Sequence, residues 1–294
     1  MNTFCYILWD PSVTAFSIGP FEVRWYSLCW LIGLALAYFT VRWLYKDQKI
    51  DDKKFEPLFI YCFVGILIGA RLGHCLFYGY SEQLGYNPYL HSWQGVVEML
   101  LPIQHSNGSW QVTGYQGLAS HGGTAGLILA LLLYWKRIKV PLWQVLDNIA
   151  IATGITACFI RLGNLMNSEI VGKIVSTDPQ TAPWWSFYFR QHELNRHVSD
   201  IVLRHAGQLY EAIAYALLFL IMAVLYKKMP QKVGTGFYFG LCLFYIFTFR
   251  FFIEYTKEVQ ESFEQALPID MGQILSIPFI MIGLWFMVKG WRKA

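Results

Sequence analysis

The chain has 294 residues, 55% of them hydrophobic, 18% aromatic and only 14% charged, with a formal net charge of +4. Soluble globular proteins carry about 25% charged residues, so the composition argues against a soluble domain, and its apolar content excludes a disordered chain. The net charge is too small to point to nucleic acid. Six cysteines lie scattered, mostly in apolar runs and without a CxxC pair, so neither a disulfide framework nor a zinc site is expected. The first 20 residues hold no Lys or Arg. Without a basic leader region no cleavable signal peptide is expected, and the chain is read as mature from Met1.

Crossing a bilayer takes about 20 mostly apolar residues. Seven stretches meet that test, at 25–45, 57–78, 117–135, 143–164, 208–226, 234–255 and 271–289. Lipid offers backbone groups no other partner, so all are predicted to be helices. The expected fold is an all-α polytopic membrane protein, one membrane domain over 1–294. Pro278 falls inside the last span, where a kink is tolerated. Gly65, Gly69 and Gly73 form a small-residue ridge on the second span, suited to close helix packing.

Basic residues set the orientation. The links after spans one, three and five hold Arg42, Lys46, Lys49, Lys53 and Lys54, then Lys136, Arg137 and Lys139, then Lys227, Lys228 and Lys232. The tail adds Lys289, Arg292 and Lys293. Residues 79–116, on the opposite side, hold none. The N-terminus is therefore expected outside and the C-terminus in the cytoplasm. Residues 165–207, with Trp184, Trp185, Tyr188 and Phe189 among charges, are expected to form a small extracytoplasmic head.

A charge near the bilayer centre costs about 2.5–3.5 kcal/mol even on the lenient insertion scale. Arg71, Arg161 and Arg250 nevertheless lie within spans. Each falls late in an outward-running span, and His121, His205, Gln208 and Glu211 come early in inward-running ones. Polar groups thus gather at the outer-leaflet depth. Arg161 and Asn164 share a helix face at i,i+3, as do Gln208 and Glu211. Arg250 and Glu254, at i,i+4, read as an ion pair, and Lys257 follows at the outer mouth. Arg161 has no acid within a turn. Arg71 can be read as snorkelling to the surface, His121 as a core histidine, and Asp147 as a helix-cap or interfacial residue. Several guanidinium groups in a dry site suit a phosphate, because arginine stays charged and grips oxyanions with a two-pronged fork. A histidine beside them can move a proton near neutral pH. The residues alone therefore suggest a phospholipid headgroup as ligand.

From about Phe16 to Trp291 the chain resembles the prolipoprotein diacylglyceryl transferase family. The resemblance rests on Phe16-Ser-Ile-Gly-Pro20 with Arg24-Trp25-Tyr26, Gly69-Ala-Arg71-Leu-Gly73 and Ser120-His121-Gly122-Gly123. It is most specific in Arg161-Leu-Gly-Asn164-Leu-Met-Asn167-Ser-Glu169-Ile-Val-Gly172, and continues through Arg204-His205, Gln208-Leu-Tyr-Glu211, Arg250-x3-Glu254 and Met271-Gly-Gln-Ile-Leu-Ser-Ile-Pro278. Departures are Ile160, Ala206-Gly207, Phe247 in place of a Tyr, and Lys257 in place of an Arg.

The resemblance implies an enzyme of the bacterial inner membrane that takes the diacylglyceryl group of phosphatidylglycerol. It would place that group on the lipobox cysteine thiol of a prolipoprotein signal peptide, leaving a thioether and glycerol 1-phosphate, with no metal or other cofactor. Arg161 and Arg250 would stabilise the leaving phosphate, and His121 would take the thiol proton. Tyr26, Arg71, Asn164, Glu169, Gly172, Glu211, Glu254 and Lys257 would bind or position substrate. The alternative is a phospholipid or solute transporter with an outer-leaflet anion site, but the inner halves of the spans offer few charges for an exit. No GxSxG motif supports an acyl-ester mechanism.

Overall fold

The structure, a computed structural model, describes residues 6–19, 21–82, 84–101, 103–106, 108–112, 117–193, 201–258 and 270–293. In chain order come β1 (Ile7–Trp9), β2 (Thr14–Ile18), β3 (Phe21–Arg24), α1 (Trp25–Asp47) and α2 (Asp52–Phe77). Then follow α3 (Pro88–His91), α4 (Trp93–Leu100), β4 (Ile103–Ser106), β5 (Ser109–Val112), α5 (Ser120–Ile138) and α6 (Leu142–Met166). The remainder is β6 (Ile174–Ser176), β7 (Phe187–Phe189), β8 (Leu203–Arg204), α7 (Gly207–Lys228), α8 (Phe237–Ile253) and α9 (Met271–Trp291).

Six of these helices are long and apolar enough to cross a membrane: α1, α2, α6, α7, α8 with the turn that follows it, and α9. The predicted span at 117–135 is also helical, as α5, but is not among the six. Its apolar middle is short, bounded by His121-Gly-Gly-Thr124 on one side and Lys136-Arg137 on the other. Pro278 lies within α9, as the sequence predicts.

The helices belong to two compact units, Tyr45–Leu142, and Met1–Leu44 with Trp143–Ala294. In the Tyr45–Leu142 unit, α2 and α5 pack along the predicted glycine ridge. A Cβ on Gly69 would stand 2.4 Å from the Gly122 carbonyl oxygen, and one on Gly65 2.8 Å from that of Gly126. Side chains there would push the backbones apart. The Tyr134 hydroxyl, buried between the same helices, donates to the Lys54 carbonyl at 2.6 Å. Between α2 and α5, where the sequence predicts no elements, the chain forms α3, α4 and the hairpin β4–β5, with His105 opposite Trp110.

In the larger unit the core joins Leu44, Ile151, Leu218, Met222, Tyr226, Phe237, Tyr238 and Cys242. Asp147 on α6 fixes the start of α8: its carboxylate accepts from the backbone N–H groups of Gly234 (2.8 Å), Gly236 (2.9 Å) and Phe239 (2.8 Å). This satisfies donors that a helix N-terminus otherwise leaves orphaned; Asp147 thus caps α8 rather than the end of its own helix. Phe247 stacks on Phe279 of α9, centroids 4.4 Å apart, so the ring at this departure fills the α8–α9 seam.

Among the described residues of 165–207, β6, β7 and β8 form a small sheet, and β1 joins it. The sheet runs β1-β7-β8-β6, with β1 parallel to β7. Arg190 pairs with Asp10 at 2.9 Å, and the Trp9 indole donates to the Leu165 carbonyl at 2.8 Å. The N-terminal strand is thus part of this sheet, a pairing that no local sequence pattern reveals.

Candidate functional site

The polar residues of the larger unit converge where the C-terminal end of α6 meets the start of α7 and the end of α8. Arg161 reaches across from α6 to α7, its Nε 3.1 Å from Glu211 Oε2. Its Nη1 donates to Asn164 Oδ1 at 3.4 Å. Asn164 donates in turn to Glu169 Oε2 at 3.3 Å, and Asn167 to Glu169 Oε1 at 3.0 Å. The signature run is therefore one chain of hydrogen bonds from Arg161 to Glu169. Gln208 closes it by donating to the Glu169 carbonyl oxygen. Ser168 and Ile170 hold positive φ, 53° and 56°. That region is costly for a β-branched residue and marks a turn held by its surroundings.

Glu211 is almost fully buried, with 1% of its side chain exposed, and serves two cations. Its second oxygen lies 3.2 Å from Lys257 Nζ, which is also 3.5 Å from Glu254 Oε2. Two expectations change here. Arg161 does have a carboxylate partner, fifty positions along the chain and invisible to i,i+4 reasoning. Lys257 is not a screened charge at an open mouth. It is 8% exposed and sits between two acids.

The expected Arg250–Glu254 pair is also replaced. The α-helix stops at Ile253, and Glu254–Thr256 tightens into a 3-10 turn. In that geometry side chains at i and i+3 eclipse, which delivers Glu254 to Lys257 instead. Among the described residues the Arg250 side chain has no ion-pair or hydrogen-bond partner. Tyr215, one turn beyond Glu211 on α7, lies within interaction range of Glu211, Arg161 and Arg250 alike. Three cations, Arg161, Arg250 and Lys257, thus share a site with two carboxylates, Glu211 and Glu254. A third carboxylate, Glu169, is held to Arg161 through Asn164.

Tyr26, at the start of α1, joins this cluster by packing on the signature. A Cβ on Gly163 would come within 2.9 Å of its ring. Gly172 lies between two backbones. A Cβ there would meet His205 Cβ and the Thr256 carbonyl oxygen, each at 2.6 Å. Arg204, 2% exposed, bonds Glu193 at 2.6 Å, the Gly172 carbonyl at 3.2 Å and Glu258. Burial pulls its pKa down, but the Glu258 and Glu193 carboxylates outweigh that and raise it. His205 stacks on Trp185, centroids 5.0 Å apart, and burial lowers its pKa. The roles of Tyr215 and Arg204 are missed by sequence reasoning. Tyr215 reads as one more aromatic in an apolar run; its only signal is the i+4 spacing from Glu211.

Arg71 and His121 belong to the other unit. Arg71 is buried rather than snorkelling: it donates to the carbonyls of Glu98 (2.8 Å) and Gly117 (3.4 Å) and lies 5.2 Å from the Tyr89 ring centroid. It ties α2 to the segment that leads into α5. His121 is exposed in the first turn of α5. Among the described residues, no group of three His, Cys, Asp or Glu side chains could hold a metal ion.

A family model described as prolipoprotein diacylglyceryl transferase matches residues 13–289. The chain is 51% identical over 287 residues to the phosphatidylglycerol–prolipoprotein diacylglyceryl transferase of Bacteroides fragilis, covering 97% of this chain and 96% of that one. It is 38% identical to the protein of the same name from Porphyromonas gingivalis (98% and 96% covered) and 34% identical to that from Tolumonas auensis (96% of each).

Proposed function

The chain belongs to the prolipoprotein diacylglyceryl transferase family, and on that premise we propose that it transfers the diacylglyceryl group of phosphatidylglycerol to the lipobox cysteine thiol of prolipoproteins. Sulfur attacks a saturated glycerol carbon, the C–O bond to phosphate breaks, and glycerol 1-phosphate leaves. The thiol proton passes to a base. The observation that carries this reading is Arg250, a cation that interacts with Tyr215, as Arg161 does, and that has no carboxylate partner of its own among the described residues. A phosphodiester brings one negative charge, which a guanidinium accepts through its two-pronged fork. As the C–O bond breaks, the phosphate gains a second charge. Fixed guanidinium groups in a dry site stabilise that gain without reorganising.

The remaining roles follow. Glu211 and Asn164 hold the Nε and Nη1 edge of Arg161, so that the rest of its fork faces the lipid. Glu169 is held by Asn164 and Asn167 to orient the headgroup. Lys257 and Glu254 complete the charge pattern, Tyr26 covers the signature from α1, and Gly172 admits the backbone that carries Lys257. Arg71 acts through the segment it holds, and His121 is the thiol base. The protein crosses the bacterial inner membrane seven times, α5 included, with its N-terminus, head and chemistry outside.

The test is a single assay. Purified protein, phosphatidylglycerol vesicles and a lipobox peptide are incubated and read by mass spectrometry. The expected product is the peptide plus one diacylglyceryl group, with release of glycerol 1-phosphate. A folded preparation that gives no such mass gain overturns the reading.

A further inference from the structure

Arg204 has more carboxylates than its burial needs. Removing a guanidinium from water requires one opposite charge, and Glu193, with 2% of its side chain exposed, supplies it at 2.6 Å. Glu258 is different. Its side chain is 46% exposed, it comes from the segment after α8, and it bonds the same guanidinium through Nη1.

Three backbone segments lie side by side at this point. Gly172 N donates to the His205 carbonyl at 2.9 Å, and His205 N to that of Lys173 at 3.1 Å. On the other side Lys173 N donates to the Thr256 carbonyl at 2.7 Å, and Gly172 bridges Lys257 in antiparallel fashion. Arg204 starts from the first segment, donates to the Gly172 carbonyl of the second, and ends on Glu258 of the third. Lys257, next to Glu258, carries the ammonium that meets Glu211 and Glu254.

We propose that Arg204 and Glu258 form a latch that fixes the 254–258 segment to the head and so positions Lys257 against Glu211. Arg204 is a positioning residue for the transfer reaction; it touches no reacting atom. The catalytic part of this proposal rests on the function given above, whereas the latch itself does not.

Two readouts separate them. The first is the reaction of Lys257 with an amine-selective acylating reagent in the intact protein, quantified by mass spectrometry. The second is kcat and KM for phosphatidylglycerol in mixed micelles. The variants are Glu258→Gln, which breaks the latch but leaves Arg204 charge-paired to Glu193, and Glu258→Asp, which keeps a carboxylate. Glu258→Gln is expected to raise Lys257 labelling several-fold and to lower kcat about tenfold, with its unfolding temperature close to that of the parent. Glu258→Asp should recover part of both. Unchanged Lys257 labelling in Glu258→Gln overturns the latch, whether or not lipid turnover is observed. Raised labelling with unchanged kcat overturns its role in the reaction.

Discussion

Glu211 on α7 and Arg161 on α6 meet through Oε2 and Nε at 3.1 Å, and the other oxygen of the same carboxylate holds Lys257 at 3.2 Å. One buried acid therefore orders two of the three cations in the site. Glu211→Gln leaves both without their full charge partner. Removing one member of a buried pair costs about 3–5 kcal/mol. The variant should unfold at a markedly lower temperature in detergent and lose turnover. A normal unfolding temperature would mean that the two cations find other partners.

Arg161 and Arg250 are assigned to the leaving phosphate. Losing one donor of this kind typically lowers kcat by about 10²–10³-fold. Arg250→Ala and Arg161→Ala should both show that loss at saturating lipid. Arg250→Lys and Arg161→Lys should recover little, since an ammonium cannot reproduce the fork. Full turnover by a well-folded Arg250→Ala protein would remove the phosphate site.

His121→Gln keeps hydrogen bonding at the start of α5 but cannot act as a base. Turnover should fall, and the acid limb of the pH–rate profile should change shape. Parent-like rate and pH profile would assign His121 a structural part and leave thiolate formation to another group.

His205 sits on Trp185, and burial lowers its pKa below the ordinary 6.5. The folded head thus binds this proton less readily than the unfolded chain. Stability rises with pH wherever the unfolded state holds more protons. The contribution is intact above about 6.5 and declines as pH falls below it. Unfolding followed through tryptophan fluorescence should shift to lower temperature between pH 7.5 and 5. His205→Gln should flatten that dependence, and an equally steep one in the variant would place the titration elsewhere.

Orientation is open to a direct test. Reporter fusions at Lys139 and Lys232 should report cytoplasm, and one near Gln180 should report the outside. The opposite pattern would put the arginine site on the cytoplasmic face and end the assignment to prolipoprotein substrates.

Most of the long helices were legible because a spanning helix announces itself in a local run of apolar residues. The glycine ridge at Gly65, Gly69 and Gly73 was legible for the same reason: spacing alone gives its face. Contacts between distant segments were not. Strand β1 finds β7 about 180 positions later, and three residues, the first two exposed, carry no signal of that partner. The Arg161–Glu211 pair is likewise a property of two helices side by side. Lys257 was misplaced because the helical period was carried past Ile253, where the chain tightens into a 3-10 turn and then extends.

The Asp147 cap gives α8 a fixed angular origin. The carboxylate on α6 grips the backbone of Gly234, Gly236 and Phe239, so the helix cannot turn about its own axis at that end. Each residue along it advances about 100°. Arg250 therefore comes within range of Tyr215 only at this count of residues from the cap. Adding one apolar residue between Phe239 and Arg250 would lengthen the span by only about 1.5 Å and keep it apolar, yet swing the guanidinium by more than a quarter turn. Membrane-spanning segments usually tolerate such changes, but α8 is indexed like a key cut to one lock.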